Sequence, residues 1–452
     1  MNEQTEGAGK KGWYRWIVFV LVSLVVFATY YVYDAFGPLA ETLKQNLNMT
    51  NAQFGLIYTS YTFGNVFLFM LFFSGIILDR LGVKKAGILF VSLNLIGTLI
   101  TSAGAMPQLQ NYIGAGLYNW LGNGFYPKLS ANLKVMLFGR MIYGVGAEAI
   151  LLVNNKVLAR WFKGKELGFA YGLNLTIARL GTFAAFNLSP HIMQWTNWKV
   201  AIWAVSGIML IGFVLFFVYL ALEAGSKRAE SADNTEEPFK FADIKALRAP
   251  FWFITTLCVT FYSAVFPFTA FSTNMLQHKF HMSASTGGFW TSIVIFATMI
   301  FTPIFGYIVD RIGKRASMMI WGALLLVPVH LMLGFTNIHP GIPMFLLGIA
   351  LSLVPAAMWA SIPLMVPDKV LGTAFGIIGY IQNIGLMLFP WLAGMIIDAS
   401  THGKVIDYRW VMLMFACLGL VGFVFALLLK RANSRDPHFD IEKASINRNT
   451  AS

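Results

Sequence analysis

The apolar run YGVGAEAILLVNN (143–155) holds a carboxylate, Glu148, in its middle, and the run LGFAYGLNLTIARLG (167–181) holds a guanidinium, Arg179. An acid and a guanidinium are the two groups that grip the ends of a zwitterion. The acid receives an amine, and the guanidinium receives a carboxylate through paired hydrogen bonds. Glu148 lies twelve residues before Arg160, about 18 Å along a helix, and Arg179 lies eleven residues after Gly168, about 16 Å. On consecutive antiparallel helices these depths match. Charges so placed can also pair with each other, so a structural ion pair stands as the alternative reading.

Other polar groups fall in similar runs. Asp34 and Lys156 lie near the ends of their segments, where an interfacial charge is the plain reading. Arg140, in GRMIYGVG (139–146), is eight residues from Glu148 and about 80° off its helical face. That favours a structural or coupling role over ligand contact. Tyr30, Tyr31, Tyr33, Tyr58, Tyr61, Asn65, Trp359, Gln382 and Asn383 are candidate lining groups, although any one aromatic is more often packing. Pro267, Pro355 and Pro363 mark expected flex points.

The elements that must carry these groups are transmembrane helices. The 452 residues are 57% hydrophobic and 12% charged, about half the charged share of a soluble domain. The apolar residues form twelve blocks, near 16–36, 55–78, 86–106, 133–157, 168–192, 200–222, 251–274, 287–309, 317–336, 342–365, 372–397 and 410–430. Blocks of about 20 apolar residues match the hydrocarbon thickness, and only helices or closed barrels satisfy the backbone there. An ionisable group in such a helix costs at least about 2.5–3.5 kcal/mol, so it is expected to face a cavity and a partner.

The net charge of +13 lies mostly in segments on one side of the spans, which argues for a membrane orientation with both termini cytoplasmic and against a nucleic-acid partner. Cys258 and Cys417 fall in spans and read as small fillers. No cleaved signal is expected at the N-terminus.

The chain also repeats itself. GIILDRLGVKK (75–85) matches GYIVDRIGKRA (306–316) at an offset of 231, and ELGFAYGLNLTIARLG (166–181) matches VLGTAFGIIGYIQNIG (370–385) at 204. The duplication predicts two six-helix halves, 16–222 and 250–430. A cytoplasmic tail (1–15), an external loop (107–131), a cytoplasmic linker (223–249) and a polar, disordered tail (431–452) complete the expected layout. At offset 204 Glu148 maps to Ser352 and Arg179 to Asn383. One half therefore folds on the shared plan without either charge, which favours a site-specific role over a structural pair.

No phosphate-cradling glycine loop, metal cluster or nucleophile elbow is visible, so no enzyme, cofactor or metal is expected. An ion or substrate gradient is left as the driving force.

The G-x-x-x-D-R-x-G-x-[KR] pattern, present twice, resembles the signature loop of the major facilitator superfamily. The resemblance implies an all-α membrane protein of twelve transmembrane helices, folded as two six-helix bundles around a cavity that opens alternately to each side. It makes Asp79, Arg80, Asp310 and Arg311 gating residues. A narrower resemblance rests on YYVYD (30–34), AVFPF (264–268), WFKGKELGFAYGLNLTIARLG (161–181) and VPDKVLGTAFGIIGYIQNIGL (366–386). These are similar to the branch of major facilitator superfamily domain-containing protein one, the lysosomal dipeptide transporter, and its microbial relatives. That likeness implies a dipeptide substrate whose termini are held by Glu148 and Arg179; Tyr30, Tyr61, Asn65, Trp359, Gln382 and Asn383 are the lining residues expected from their places in the spans. Asp34 and Arg140 are the coupling candidates.

The E-x-x-E-R pattern of proton-coupled peptide symporters is absent, which argues against obligate proton coupling. The N-terminal tail lacks an acidic dileucine sorting signal, so a prokaryotic cytoplasmic membrane is expected, with a lysosomal membrane as the alternative. A transporter of organic anions or sugars, and a non-transporting sensor or scaffold built on loop 107–131, remain the competing functions.

Overall fold

In lipid the backbone must bond within the chain, and a helix does so within its own segment. The computed structural model describes residues 3–124, 126–162, 166–224, 247–367, 370–403, 405–435 and 440–443. Most of the expected linker thus lies outside the described residues. Every apolar block falls on helix.

The first block lies on α1 (Glu3–Asp34), followed by the short α2 (Ala40–Leu47). The second is shared by α3 (Asn51–Phe67) and the first turns of α4 (Met70–Gly104), and the third is the rest of α4. Loop 107–131 contains α5 (Leu109–Ile113) and α6 (Ala115–Asn123). The next three blocks are α7 (Ala131–Phe162), α8 (Leu167–Trp195) and α9 (Trp198–Ala224). The remaining six are α10 (Ala249–Phe280), α11 (Ala284–Ile312), α12 (Arg315–Phe335), α13 (Gly341–Met365), α14 (Leu371–Ala399) and α15 (Arg409–Asn433). Among the described residues, ten helices are individually long and apolar enough to cross a membrane. The two expected spans outside that set are α3, only 17 residues long, and α8, which carries Asn174, Arg179, Asn187 and His191. Helix α10 continues through Pro267, and α13 through Pro355 and Pro363.

Two compact units divide the described residues. Unit 1 draws on Met1–Leu47 and Phe63–Ala232, and unit 2 on Asn48–Thr62 and Asp233–Ser452. Tyr61 thus belongs to unit 2 and Asn65 to unit 1.

Within unit 1, α4 and α7 pack most extensively. Glycine makes this possible. A Cβ at Gly97 would lie 2.3 Å from the Tyr143 nitrogen, and one at Gly146 would lie 2.5 Å from Asn94 Oδ1. Helix α8 approaches α1 in the same way, since a Cβ at Gly181 would lie 2.3 Å from the Phe27 carbonyl oxygen. The repeated D-R-x-G motif also has a backbone reason. Gly82 breaks α4 at φ +71°, and its repeat equivalent Gly313 ends α11 at φ +73°. Both sit where a side chain would be strained.

Within unit 2, Asp398 on α14 caps α3. Its carboxylate accepts from Asn51 N, Asn51 Nδ2 and Ala52 N, each at 2.8 Å. Of the tail expected to be disordered, residues 431–435 and 440–443 are ordered, while 436–439 and 444–452 lie outside the described residues. Residues 440–443 dock on the start of α12: Ile441 is fully buried, and Glu442 accepts from Ala316 N at 2.7 Å and from the Ser317 hydroxyl at 3.0 Å. Arg315, 1% exposed, donates to the Ile441 and Lys443 carbonyls at 3.2 and 2.7 Å. The physical reason is the bare N-terminus of α12. No side chain of its own caps it, so a carboxylate from the tail does. Replacing Glu442 with Ala should destabilise the protein by about 1 kcal/mol, the usual value of a helix cap. Thermal unfolding of the purified variant should show a lower melting temperature, and an unchanged one would mean the cap contributes nothing.

Candidate functional site

Tyr30, Tyr33 and Asp34 occupy the last turns of α1 at i, i+3 and i+4, one face of the helix. Arg140, Tyr143 and Glu148 lie on α7, and Arg179 and Thr182 on α8. The glycine contacts that pull α8 onto α1 put these faces together. The Arg179 Cζ lies 6.0 Å from the Tyr30 ring centroid, a cation–π distance. Tyr30 is within electrostatic range of Arg179, Glu148 and Asp34. Glu148 also reaches the fields of Tyr33 and Tyr143. Asp34 is 6% exposed and stands beside Thr182, Arg179 and Arg140.

Arg140 has a different task. Its guanidinium is 1% exposed and donates to the Val32 and Tyr33 carbonyls, both at 3.2 Å. The rings of Phe36 and Tyr143 lie 5.2 Å from its Cζ, and that of Tyr33 5.6 Å. The last carbonyls of a helix lack intrahelical donors, and a cation there is favourable. Arg140 therefore positions the end of α1. Arg179 contrasts with it. Among the described residues, no ion-pair partner of Arg179 lies within 4.0 Å.

The structure brings Tyr30, Asp34, Arg140, Glu148 and Arg179 into one cluster of unit 1. Asn65, in the same unit, is 1% exposed, and neither its amide nitrogen nor its oxygen has a hydrogen-bond partner among the described residues. The other lining candidates belong to unit 2. Trp359 Nε1 donates to the Tyr262 hydroxyl at 3.1 Å, and its ring lies 6.0 Å from Phe375. Gln382 accepts from the Cys258 thiol at 3.7 Å. Asn383 donates to Gly379 O at 3.0 Å while its side-chain oxygen stays unmet. Tyr61 is buried.

In the signature loops, Asp79 pairs with Lys156 at 2.7 Å, and Arg80 is exposed. Arg311 donates to the Tyr307 hydroxyl at 2.7 Å, and Asp310 lies 4.0 Å from Arg315. The pairing with Asp79 gives Lys156 a partner that the interfacial reading did not supply. Sequence reasoning also left out Thr182, Tyr143 and Tyr262. The first two were accessible from spacing, because Thr182 is i+3 from Arg179 and Tyr143 is i+3 from Arg140. Tyr262 carried no local signal.

Helices on this plan, with charges facing one another inside an apolar bundle, define a membrane transporter. The chain belongs to the Major Facilitator Superfamily, whose family profile matches residues 22–275 and 260–452. It is therefore an integral, multi-pass membrane protein of a transporter family. It is 31% identical to the lysosomal dipeptide transporter MFSD1 of Homo sapiens over 441 residues, covering 93% of this chain and 87% of that protein. The MFSD1 of Bos taurus is 30% identical over 452 residues, covering 95% and 89%. Among solved structures, the nucleoside transporter NupG (D323A mutant) superposes with a TM-score of 0.71 at 13% identity, over 92% of this chain and 99% of that one. That likeness concerns the fold alone.

Replacing Gly181 with Ala should wedge α8 away from α1, because the new methyl meets the Phe27 carbonyl. Overpacking of this kind costs about 1–3 kcal/mol. The expected result is a lower melting temperature together with weaker retention of any ligand that Arg179 holds. Wild-type values for both would show that α1 and α8 are not in firm contact.

Proposed function

We propose that the protein carries dipeptides across its membrane by alternating access, as a facilitator. Glu148 holds the peptide's amino group and Arg179 its carboxylate. The observation that carries the reading is the state of Arg179: a guanidinium laid on Tyr30, with no ion-pair partner within 4.0 Å among the described residues, and with Glu148 in the same electrostatic cluster. An unspent guanidinium at this depth suits a carboxylate that arrives and leaves. The likeness to MFSD1 over most of both chains supports the same substrate class. Asn65 is suited to the peptide backbone, since its amide offers both donors and an acceptor. In this reading the Asp79–Lys156 pair ties the first signature loop to α7 in one of the two access states. The weight of basic residues on one side of the spans favours both termini in the cytoplasm.

Thermal stabilisation by a dipeptide panel tests this directly. A ligand that binds only the folded state stabilises it by about 2.7 kcal/mol at 100 times its Kd. Free dipeptides should raise the melting temperature. N-acetylated and C-amidated versions should not, and neither should free dipeptides added to the Glu148→Gln or Arg179→Gln variants. A response to acids or sugars with none to dipeptides would refute the assignment.

A further inference from the structure

Helices α5 and α6 form a hairpin between the end of α4 at Gly104 and the start of α7 at Ala131. It is bolted to those two spans. Leu109 is fully buried. The Tyr118 hydroxyl donates to Asn132 Oδ1 at 3.1 Å, and Asn132 Nδ2 donates to the Gly104 and Met106 carbonyls at 2.9 and 2.8 Å. The Lys134 ammonium donates to the Leu121 carbonyl and, at 3.4 Å, to that of Gly122. A cation at the carbonyl end of α6 is the favourable polarity. The hairpin therefore presents a fixed face.

That face is apolar and open. No residue of α6 is buried. Leu117, Trp120 and Leu121 form an i, i+3, i+4 stripe, and Trp120 points about 160° away from Tyr118, which faces the bundle. Trp120 is 67% exposed, Leu117 49%, Tyr112 62% and Tyr126 56%. Asn119 lies about 100° around the helix from Trp120 and about 150° from the centre of the stripe. Residues 107–131 contain one charged side chain, Lys128, and no carboxylate. A water-facing segment of this length would ordinarily carry several charges. Aromatic residues with a lone cation and no acid suit the boundary between phospholipid headgroups and acyl chains. The segment joins two long apolar helices, following the end of α4 at Gly104 and preceding the start of α7 at Ala131.

We propose that the α5–α6 hairpin is an interfacial anchor that lies in the phospholipid surface. Trp120, Leu117 and Tyr112 enter the acyl boundary, and Lys128 meets the phosphates. Through Asn132 and Lys134 the anchor holds α7, the helix that bears Arg140 and Glu148, at a set depth. The inference does not depend on what the protein transports.

Site-directed fluorescence in lipid vesicles is the test. Cys417 is exposed and is replaced with Ser; Cys258 is fully buried and is kept. Trp120→Cys and Asn119→Cys variants are each labelled with an environment-sensitive dye and reconstituted in phosphatidylcholine–phosphatidylglycerol vesicles. The label at position 120 should emit at shorter wavelength, resist iodide and be quenched by a nitroxide about 5–10 Å below the headgroups. The label at position 119 should be open to iodide. A Tyr112→Cys label should behave like that at 120. Iodide access at both 120 and 119 would overturn the proposal, including the case in which a protein partner covers the face in a cell. Protection at both positions would overturn it too, because the hairpin would then be folded against its own bundle.

Discussion

An ionised group inside an apolar helix bundle loses the hydration it had in water, and the loss amounts to several kcal/mol unless the protein replaces it. Unit 1 keeps four such groups together: Asp34, Arg140, Glu148 and Arg179. The backbone geometry around them serves that constraint. Gly97, Gly146 and Gly181 let α4, α7, α1 and α8 approach at distances a Cβ would forbid. The Gly181 contact holds α8 against α1, the helix whose Tyr30 ring underlies Arg179. Arg140 reaches from α7 to the terminal carbonyls of α1, and these carbonyls and rings replace lost water.

The second half of the sequence shows the same plan with that burden removed. Ser352, equivalent to Glu148, turns its hydroxyl back to the Gly348 carbonyl of its own helix at 2.8 Å. Asn383, equivalent to Arg179, does the same toward Gly379. Each donor is met four residues back in its own helix, while the Asn383 side-chain oxygen has no hydrogen-bond partner among the described residues. The signature glycines, by contrast, keep the same left-handed φ in both copies. Duplication thus preserved what the turn needs and let the charged positions diverge.

Much of this is legible in the amino-acid sequence. Apolar block length gave the helices, because lipid imposes one solution on the backbone. The D-R-x-G repeat gave the two tight turns, because only glycine fits them easily. Charge in an apolar run singled out Glu148 and Arg179. What was not legible was set by contacts distant in sequence. Asp440–Lys443 reads as a polar tail, and only the uncapped start of α12 makes Glu442 a partner. Lys156 reads as an interfacial lysine until α4 brings Asp79 within 2.7 Å of it. Tyr262 and Trp359 are 97 residues apart, and no period links them. The short helices of loop 107–131 lacked the length for a periodic signal.

Charge balance supplies a further argument about the substrate. Two carboxylates and two guanidiniums leave the unit 1 cluster formally neutral. A zwitterionic ligand adds one charge of each sign and keeps that balance, whichever way the transporter faces. A simple anion would add an uncompensated charge where the effective dielectric is low and the penalty correspondingly high. It would also find Asp34 and Glu148 repelling it beside the one guanidinium not spent on backbone carbonyls. A sugar would keep the balance but use neither charge, leaving Arg179 unmet in the bound state. In the proposed reading, with Glu148 and Arg179 as the substrate's partners, the zwitterion is the class of the three that matches both the sign of the groups and their sum.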